Sequence, residues 1–505
     1  MEQVLAAVAA QFPVAWRSGP ARSRAWLLAL VAASYLGIAF ALRAINFDNP
    51  NVHIDEDFYL LVGNRMLHGA VPYVDIWDRK PLGLFALYAA MARLGGDGVA
   101  AYQVCAAISA GLTALVIHAL ARRIATPAGA WWAGIAYLPA LAAFHCQGGQ
   151  TPVFYNLPVT LALLLLTGHV EAIGRRPRDG LGAALGAMAL LGLAIQIKYT
   201  VAFEGAALGL WLLARYHRLG LPRGTIAARA ALFIAIAIAP TAGVTAWYAA
   251  HGHLAELVQS NFVSIFQRDQ PFWPALGRLA KEALGLTPFA LAIAADPRRL
   301  APLGTGARAL PLFWAIAAVT AFLLFGSWFD HYVGAILPPL CVLAAPMLVQ
   351  HERLSRIGRL LIVAAAAGAL FQTVHYRLVE GNRSEIERAT GLIDNRLGGG
   401  SLFLFEAPPI LYMTTGARLP TRFIFPTHLS STVEARALGV DQLAEVGRIM
   451  ASRPAVVMIA DECHYGPKNL ATWRAMADSL ARRYVRYADV RIGHRRYGLY
   501  SRRYG

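Results

Sequence analysis

Runs of 18 or more apolar residues recur along this chain, and each is long enough to cross a bilayer core of roughly 30 Å. That constrains the fold more than any other feature, because such runs read as membrane-spanning helices. The bulk composition agrees. Of 505 residues, 57% are hydrophobic and 15% are charged, and mean hydropathy is +0.47. Soluble domains carry about 25% charged residues, so the chain reads as an integral, polytopic α-helical membrane protein.

The net charge of +17 raises the question of nucleic acid, and its placement answers it. The arginines gather in short loops between apolar runs, as Arg122-Arg123, Arg175-Arg176-Arg178, Arg215 to Arg229, Arg298-Arg299-Arg308 and Arg353-Arg356-Arg359. This is the positive-inside distribution, a topology signal, and no nucleic-acid partner is expected. The four cysteines, Cys105, Cys146, Cys341 and Cys463, show no paired spacing, so neither a disulfide framework nor a zinc motif is indicated. The first long run, Trp26 to Leu42, has basic residues before it and no small-residue cleavage site, and reads as a retained anchor.

Topology follows from one decision. With Arg17, Arg22 and Arg24 cytoplasmic, the span Ala25 to Ile45 delivers the stretch from Asn46 to the opposite, external face. Residues 56–68 read as a helix, and 81–94 as a second one, too short to span and therefore interfacial. Ten further spans follow, at about 98–120, 128–145, 151–170, 180–198, 199–214, 229–250, 282–296, 309–328, 332–349 and 358–375. This register puts every arginine-rich loop on the cytoplasmic side. The total is about 11 transmembrane helices, N-terminus inside and C-terminus outside. The span 282–296 is interrupted by Pro288, and Gly252 to Lys281 before it reads as a long external segment. The expected division is a membrane domain over 1–378, with an external loop at 46–97, and a small external α/β domain over 379–505. In the latter, short β-prone runs at 401–407, 455–460, 484–490 and 497–503 alternate with helical periodicity at Val440 to Ala451 and Leu470 to Arg483.

The candidate chemistry concentrates in VHIDEDFYLLVGNRMLHGAVPYVDIWDRKPLGL, residues 52–84, which packs Asp55, Glu56, Asp57, Asp75, Asp78, Arg79 and Lys80 beside a membrane face. Asp55 and Glu56 suit a general base acting on an acceptor hydroxyl, since partial burial against a membrane raises a carboxylate toward neutrality. Alternatively, Asp55 caps the helix that begins at Glu56. Tyr59 lies one turn beyond Asp55 and either positions a substrate hydroxyl or belongs to the aromatic belt. Asp78-Arg79-Lys80-Pro81 opens the interfacial helix. Cations at a helix N-terminus oppose its dipole, so Arg79 and Lys80 need an anionic partner there, either lipid headgroups or the phosphate of a lipid-linked donor. Lysine is rare here, confined to Lys80, Lys198, Lys281 and Lys468, which favours a chosen point charge at position 80. Lys198, between two apolar runs, is either a site residue or a snorkelling one. Asp330-His331-Tyr332 sits at the external junction of two spans, either completing the site through phosphate oxygens or making a polar turn. His53, Asp55 and Asp57 have nonspecific spacing for a divalent metal, and Asp461-Glu462-Cys463-His464 reads as a solvated turn. No cofactor is indicated, and no metal site is assigned.

At these residues the chain resembles the membrane glycosyltransferases of the C-type fold, in the branch of bacterial aminoarabinose transferases and protein O-mannosyltransferases. The resemblance rests on IDEDFYLLVGNRMLHGAVPYVDIWDRKPLGL, on IKYT and on DHYVGAILPPL. It implies a polyprenyl-phosphate sugar donor, a lipid, glycan or protein acceptor, and inverting transfer at the periplasmic face of a bacterial inner membrane. It implies Asp55 as the catalytic carboxylate with Glu56 beside it, Lys80 on the donor phosphate, and His331-Tyr332 bordering the donor. Family members often carry another acid between the third and fourth spans. Here that junction reads HCQGGQTPVFYNLP and offers Gln147, Gln150 and Asn156 instead, which leaves metal use and the sugar open. The competing class is a transporter or flippase of a lipid-linked sugar. Transporters place charges at mid-membrane and repeat their halves, whereas this chain gathers its acids at one face and shows no repeat.

Overall fold

The computed structural model describes residues 21–173, 181–294, 309–324, 326–348 and 353–503. The arginines at 175, 176, 178, 298, 299 and 308, and Arg17, lie outside the described residues. The chain divides into two compact units, each discontinuous in sequence. The first comprises residues 1–45, 104–243 and 273–372, and the second residues 46–103, 244–272 and 373–505.

Helices occur wherever an apolar run was read as a span. They are α1 (Ala21–Arg43), α4 (Val99–Ala121), α5 (Pro127–Ala143), α6 (Thr151–Ile173), α7 (Leu181–Ile195), α8 (Val201–Arg218), α9 (Arg223–Ala250), α11 (Phe272–Ala294), α12 (Ala309–Leu324), α13 (Leu337–Ala344) and α14 (Arg353–Glu380). Among the described residues, five stretches are long and apolar enough to cross a membrane: Ala25–Asn46, Val99–Ala121, Thr151–Val170, Arg223–Ala250 and Ser355–Leu397. Two expectations are corrected. The helix read as 282–296 starts ten residues earlier, at Phe272, and runs through Pro288, which removes one hydrogen bond and leaves the flanking turns intact. The run read as one span over 332–349 is broken into a 3₁₀ turn (Asp330–Ala335), the short α13 and a second 3₁₀ turn (Ala345–Met347). Pro338, Pro339 and Pro346 dictate this, and the irregular backbone survives because its flanking side chains are enclosed in protein.

Close helix approach in the first unit depends on small residues. Gly134 lies flat against the Tyr35 ring, whose hydroxyl bonds His118 Nδ1 at 2.9 Å and donates to the Trp131 carbonyl. Gly192 abuts the Ala237 carbonyl. Packing of small residues, rather than water exclusion, holds helices together in lipid.

The second unit joins the 46–103 loop to the C-terminal segment. Within the loop, α2 (Ile54–Leu67) packs on α3 (Leu82–Ala92), close to the 56–68 and 81–94 expected. From residues 244–272 it takes α10 (Leu254–Val258), a π turn and a 3₁₀ turn. The C-terminal segment follows as α15 (Arg383–Leu397), β1 (Leu402–Phe405), α16 (Ile410–Thr414), α17 (Thr427–Ser430), α18 (Gln442–Ala451), β2 (Val456–Ala460), α19 (Leu470–Arg483), β3 (Tyr484–Ile492) and β4 (Arg495–Arg502). The sheet order is β1-β2-β4-β3, with β1 and β2 parallel and the other pairs antiparallel. All four expected strands and both expected helices are present.

Loop and C-terminal segment are stitched by polar bonds. Arg65 donates to the Tyr412 and Ala417 carbonyls at 2.9 and 2.7 Å, Asn49 to the Gly381 carbonyl at 3.1 Å, and Arg383 bridges Asp48 and Asp97. The α2–α3 crossing is set by Gly63, where an added Cβ would lie 2.6 Å from the Ala89 nitrogen and 2.9 Å from the Tyr88 carbonyl carbon. Backbone cannot yield there as a side chain would. Gly63→Ala is expected to destabilise the protein by about 1–3 kcal/mol, the range for overpacking. Thermal melting in detergent checks this, with Gly209→Ala, which meets open space, as the unperturbed control.

Candidate active site

The second unit places Asp55, Glu56, Tyr59, Asp78, Arg79 and Lys80 on or between α2 and α3. His53, not Asp55, is the N-cap of α2, its Nδ1 accepting from the Asp55 backbone nitrogen at 3.3 Å. The capping alternative for Asp55 is therefore corrected, and its carboxylate lies 3.8 Å from His53 Nδ1. Asp55 keeps 16% of its side-chain surface exposed, whereas Glu56 and Asp57 are fully enclosed. Helix geometry explains the difference, since successive residues turn by about 100° and only one of three adjacent acids can face outward. Burial pushes the Asp57 carboxyl well above the usual range, and Glu56, Glu380 and Asp55 nearby push it the same way. Among the described residues, Asp57 does not converge with His53 and Asp55 as a ligand set.

The turn before α3 is built around Lys80. The Asp78 carboxylate accepts from the backbone nitrogens of Arg79 and Lys80, the latter at 3.2 Å, and Tyr73 donates its hydroxyl to the Lys80 carbonyl at 2.7 Å. Asp78 thus holds the backbone of this turn. The Lys80 ammonium lies over the Tyr59 ring, 5.2 Å from its centroid. Tyr59 is buried against Phe85 and Tyr88 and serves as a platform for that cation.

Arg79 turns the other way. Its guanidinium crosses the Trp77 ring and forms a bidentate pair with Glu434, which Arg268 also engages at 2.8 Å. The anion that Arg79 needs is therefore supplied by the protein. Glu434 is buried, which alone would raise its pKa, but Arg79 and Arg268 outweigh that and hold it at about 2. Beside it, His428 is enclosed by Phe58, Trp77, Phe423 and Phe425. Arg268, Glu434 and His428 were invisible to sequence reasoning, because Glu434 lies 355 residues from Arg79 with no local motif to mark it.

In the first unit, Asn156 donates to the Tyr137 hydroxyl at 3.1 Å and to the Gly334 carbonyl at 2.8 Å, fixing the Asp330–Ala335 turn. Asp330 takes Lys281 at 2.5 Å and His145 at 2.9 Å. Asn156 and Asp330 are thus both tied by hydrogen bonds or ion pairs within the first unit. His331 stacks on Phe329 and meets Tyr332 edge-on. The Lys198 ammonium sits 4.2 Å above the Tyr332 ring, and both line a small cavity with Thr151, Tyr155 and Glu204. The 461–464 turn closes on Glu406, whose carboxylate accepts from the His464 and Tyr465 nitrogens at 2.9 and 3.0 Å and from the Cys463 thiol.

Residues 79–244 match the family described as dolichyl-phosphate-mannose-protein mannosyltransferase. No curated protein matches the chain in sequence. Among solved structures, ArnT from Cupriavidus metallidurans in the apo state is similar, with a TM-score of 0.59 at 16% identity over 95% of this chain and 98% of that one. The same protein bound to undecaprenyl phosphate gives a TM-score of 0.60 at 16% identity over 94% and 98%. This is a C-type glycosyltransferase fold. The expected fold class and the resemblance to glycosyltransferases are borne out by the matched segment and the architecture together. The family match begins at Arg79 and takes in Lys80, Asn156 and Lys198.

The pH behaviour of the Glu434 neighbourhood has a definite sign. Burial lowers His428 from 6.5 to about 3, with Arg79, Arg268 and Lys80 adding to the effect and Glu434 opposing it. The folded imidazole stays neutral while the unfolded one takes a proton near 6.5, so the stabilisation is complete above 6.5 and is lost as pH falls toward 3. Between pH 7 and 5 His428 is expected to remove about 2 kcal/mol. Melting across that range should show a flatter pH slope for His428→Gln than for the parent.

Proposed function

We propose that this protein transfers a single sugar from a polyprenyl-phosphate-linked donor to an envelope acceptor, a glycolipid, polysaccharide or protein, with inversion at the anomeric carbon. Asp55 takes the proton of the acceptor hydroxyl as its oxygen bonds to the anomeric carbon. The bond from that carbon to the phosphate oxygen breaks, and polyprenyl phosphate departs as the anion. Lys80 neutralises the phosphate charge that grows in this step.

The observation that carries the reading is the sorting of three adjacent acids. Asp55 alone is open, Glu56 and Asp57 are enclosed, and one turn along the same helix Tyr59 carries the Lys80 ammonium. A base and a phosphate-binding cation thus share one rigid helix pair. The family matched by residues 79–244 is named for a dolichyl-phosphate-mannose donor, and the similar ArnT structure holds undecaprenyl phosphate, which supports a donor of this class. His331, Tyr332 and Lys198 are assigned to the donor side and Glu56 to support of Asp55. Arg79, already paired with Glu434, is assigned to the architecture of the turn. The reaction is placed at the periplasmic face of a bacterial inner membrane, with the N-terminus cytoplasmic and the C-terminal segment periplasmic.

The test is sugar transfer in proteoliposomes from a panel of radiolabelled polyprenyl-phosphate sugars. Asp55→Asn is expected to lower turnover of the active donor by about 10²–10⁴-fold, the usual worth of a general base, with the protein still folded. Glu56→Gln is expected to cost less. Equal kinetics for Asp55→Asn and the parent would sink the assignment. Donor lipid crossing the bilayer unconsumed would replace the reading with a flippase.

A further inference from the structure

We infer that Glu434, far from the loop in sequence, is a positioning residue for the donor phosphate site, acting through Arg79 to set the place of Lys80. The inference rests on the assignment of Lys80 to the donor phosphate.

The geometry is a pinned dipeptide. Arg79 and Lys80 are adjacent but diverge, one guanidinium to Glu434 and one ammonium to the Tyr59 ring. Their shared backbone is held by the Asp78 carboxylate below and the Tyr73 hydroxyl above, and the Tyr73 ring packs on Tyr248, whose hydroxyl donates to the Pro72 carbonyl at 3.0 Å. The Trp77 backbone nitrogen donates to the Arg422 carbonyl at 2.9 Å, six residues before His428. Residues 421–434 therefore touch the loop at three points. Phe425 and His428 meet Phe58 on α2, Phe423 and His428 meet Trp77, and Glu434 holds Arg79. The first fixes the helix that carries Asp55, and the last fixes the turn that carries Lys80.

Stability is a poor reason for such a pair, because removing charges from water costs about as much as their attraction returns, and apolar replacements often do as well. Geometry is a better reason. A bidentate guanidinium–carboxylate contact fixes orientation in a plane, which an apolar contact does not. The charge count points the same way. One carboxylate faces Arg79 and Arg268, and His428 beside it is neutral, so the cluster retains a positive surplus next to Lys80. That field favours an anion at Lys80 while Glu434 keeps the guanidiniums from taking it themselves.

Binding of undecaprenyl phosphate to the full-length protein in detergent tests this independently of which sugar is transferred. Lys80→Ala is expected to weaken binding by at least about tenfold, as for loss of a charged hydrogen bond. Glu434→Gln is expected to weaken it by about tenfold as well, since a misplaced cation forfeits most of its contact. Glu434→Asp, which keeps the charge, should restore most of the affinity. The double variant Lys80→Ala/Glu434→Gln should bind no more weakly than Lys80→Ala alone, because Glu434 acts only through that ammonium. Additive losses, unchanged binding in Glu434→Gln, or tighter binding by released guanidiniums would each overturn the inference. Unchanged binding in Lys80→Ala would overturn the donor-site assignment instead. Arg79→Gln cuts the same link from the loop side and carries the same expectation should Glu434→Gln not fold.

Discussion

The second unit depends on one buried carboxylate. Glu434 balances Arg79 and Arg268, and from that point the contacts run outward to Trp77, Phe58 and the two helices that hold Asp55 and Lys80. A charge enclosed in protein is costly unless it is paired and hydrogen-bonded, so this arrangement has few alternatives in which the same residues are satisfied. Its value lies in defining a single geometry for the loop, at little net gain in stability.

The acids of α2 show the opposite use of burial. Glu56 and Asp57 are taken out of water, and burial pushes the Asp57 carboxyl well above its usual range. Helical rotation does the sorting. Three consecutive acids cannot share an environment on a helix with one face toward protein, so the sequence DED becomes three different chemical groups.

Much of the architecture was legible because its signals are local. Apolar run length marked the helices, and alternating β-prone runs with helical periodicity marked the strands and helices after Glu380, Leu470–Arg483 to the residue. The break at 332–349 was misread because hydropathy records greasiness and not proline geometry. The partner of Arg79 escaped the sequence for a different reason. A cation at a helix N-terminus does need an anion, as the dipole argument requires, but the sequence could not show that the anion was Glu434. Asp330 and Asn156 illustrate the same limit. Both are polar residues at the right edge, and both turn out to be tied by partners remote in the chain. The helices α2 and α3 that flank Asp55 and Lys80 were legible because their signals are local.

The long reach of the Arg79–Glu434 pair also sets an order in time. The loop leaves the ribosome 355 residues before its partner carboxylate, which at ordinary rates of synthesis is on the order of twenty to seventy seconds. Through that interval two arginines and three acids wait beside the bilayer with their final companions not yet made. The chain must therefore remain receptive in this early loop until nearly its last hundred residues have arrived. Assembly of the 46–103 loop is then a late event, and the C-terminal segment serves as the template on which an early part of the protein acquires its shape.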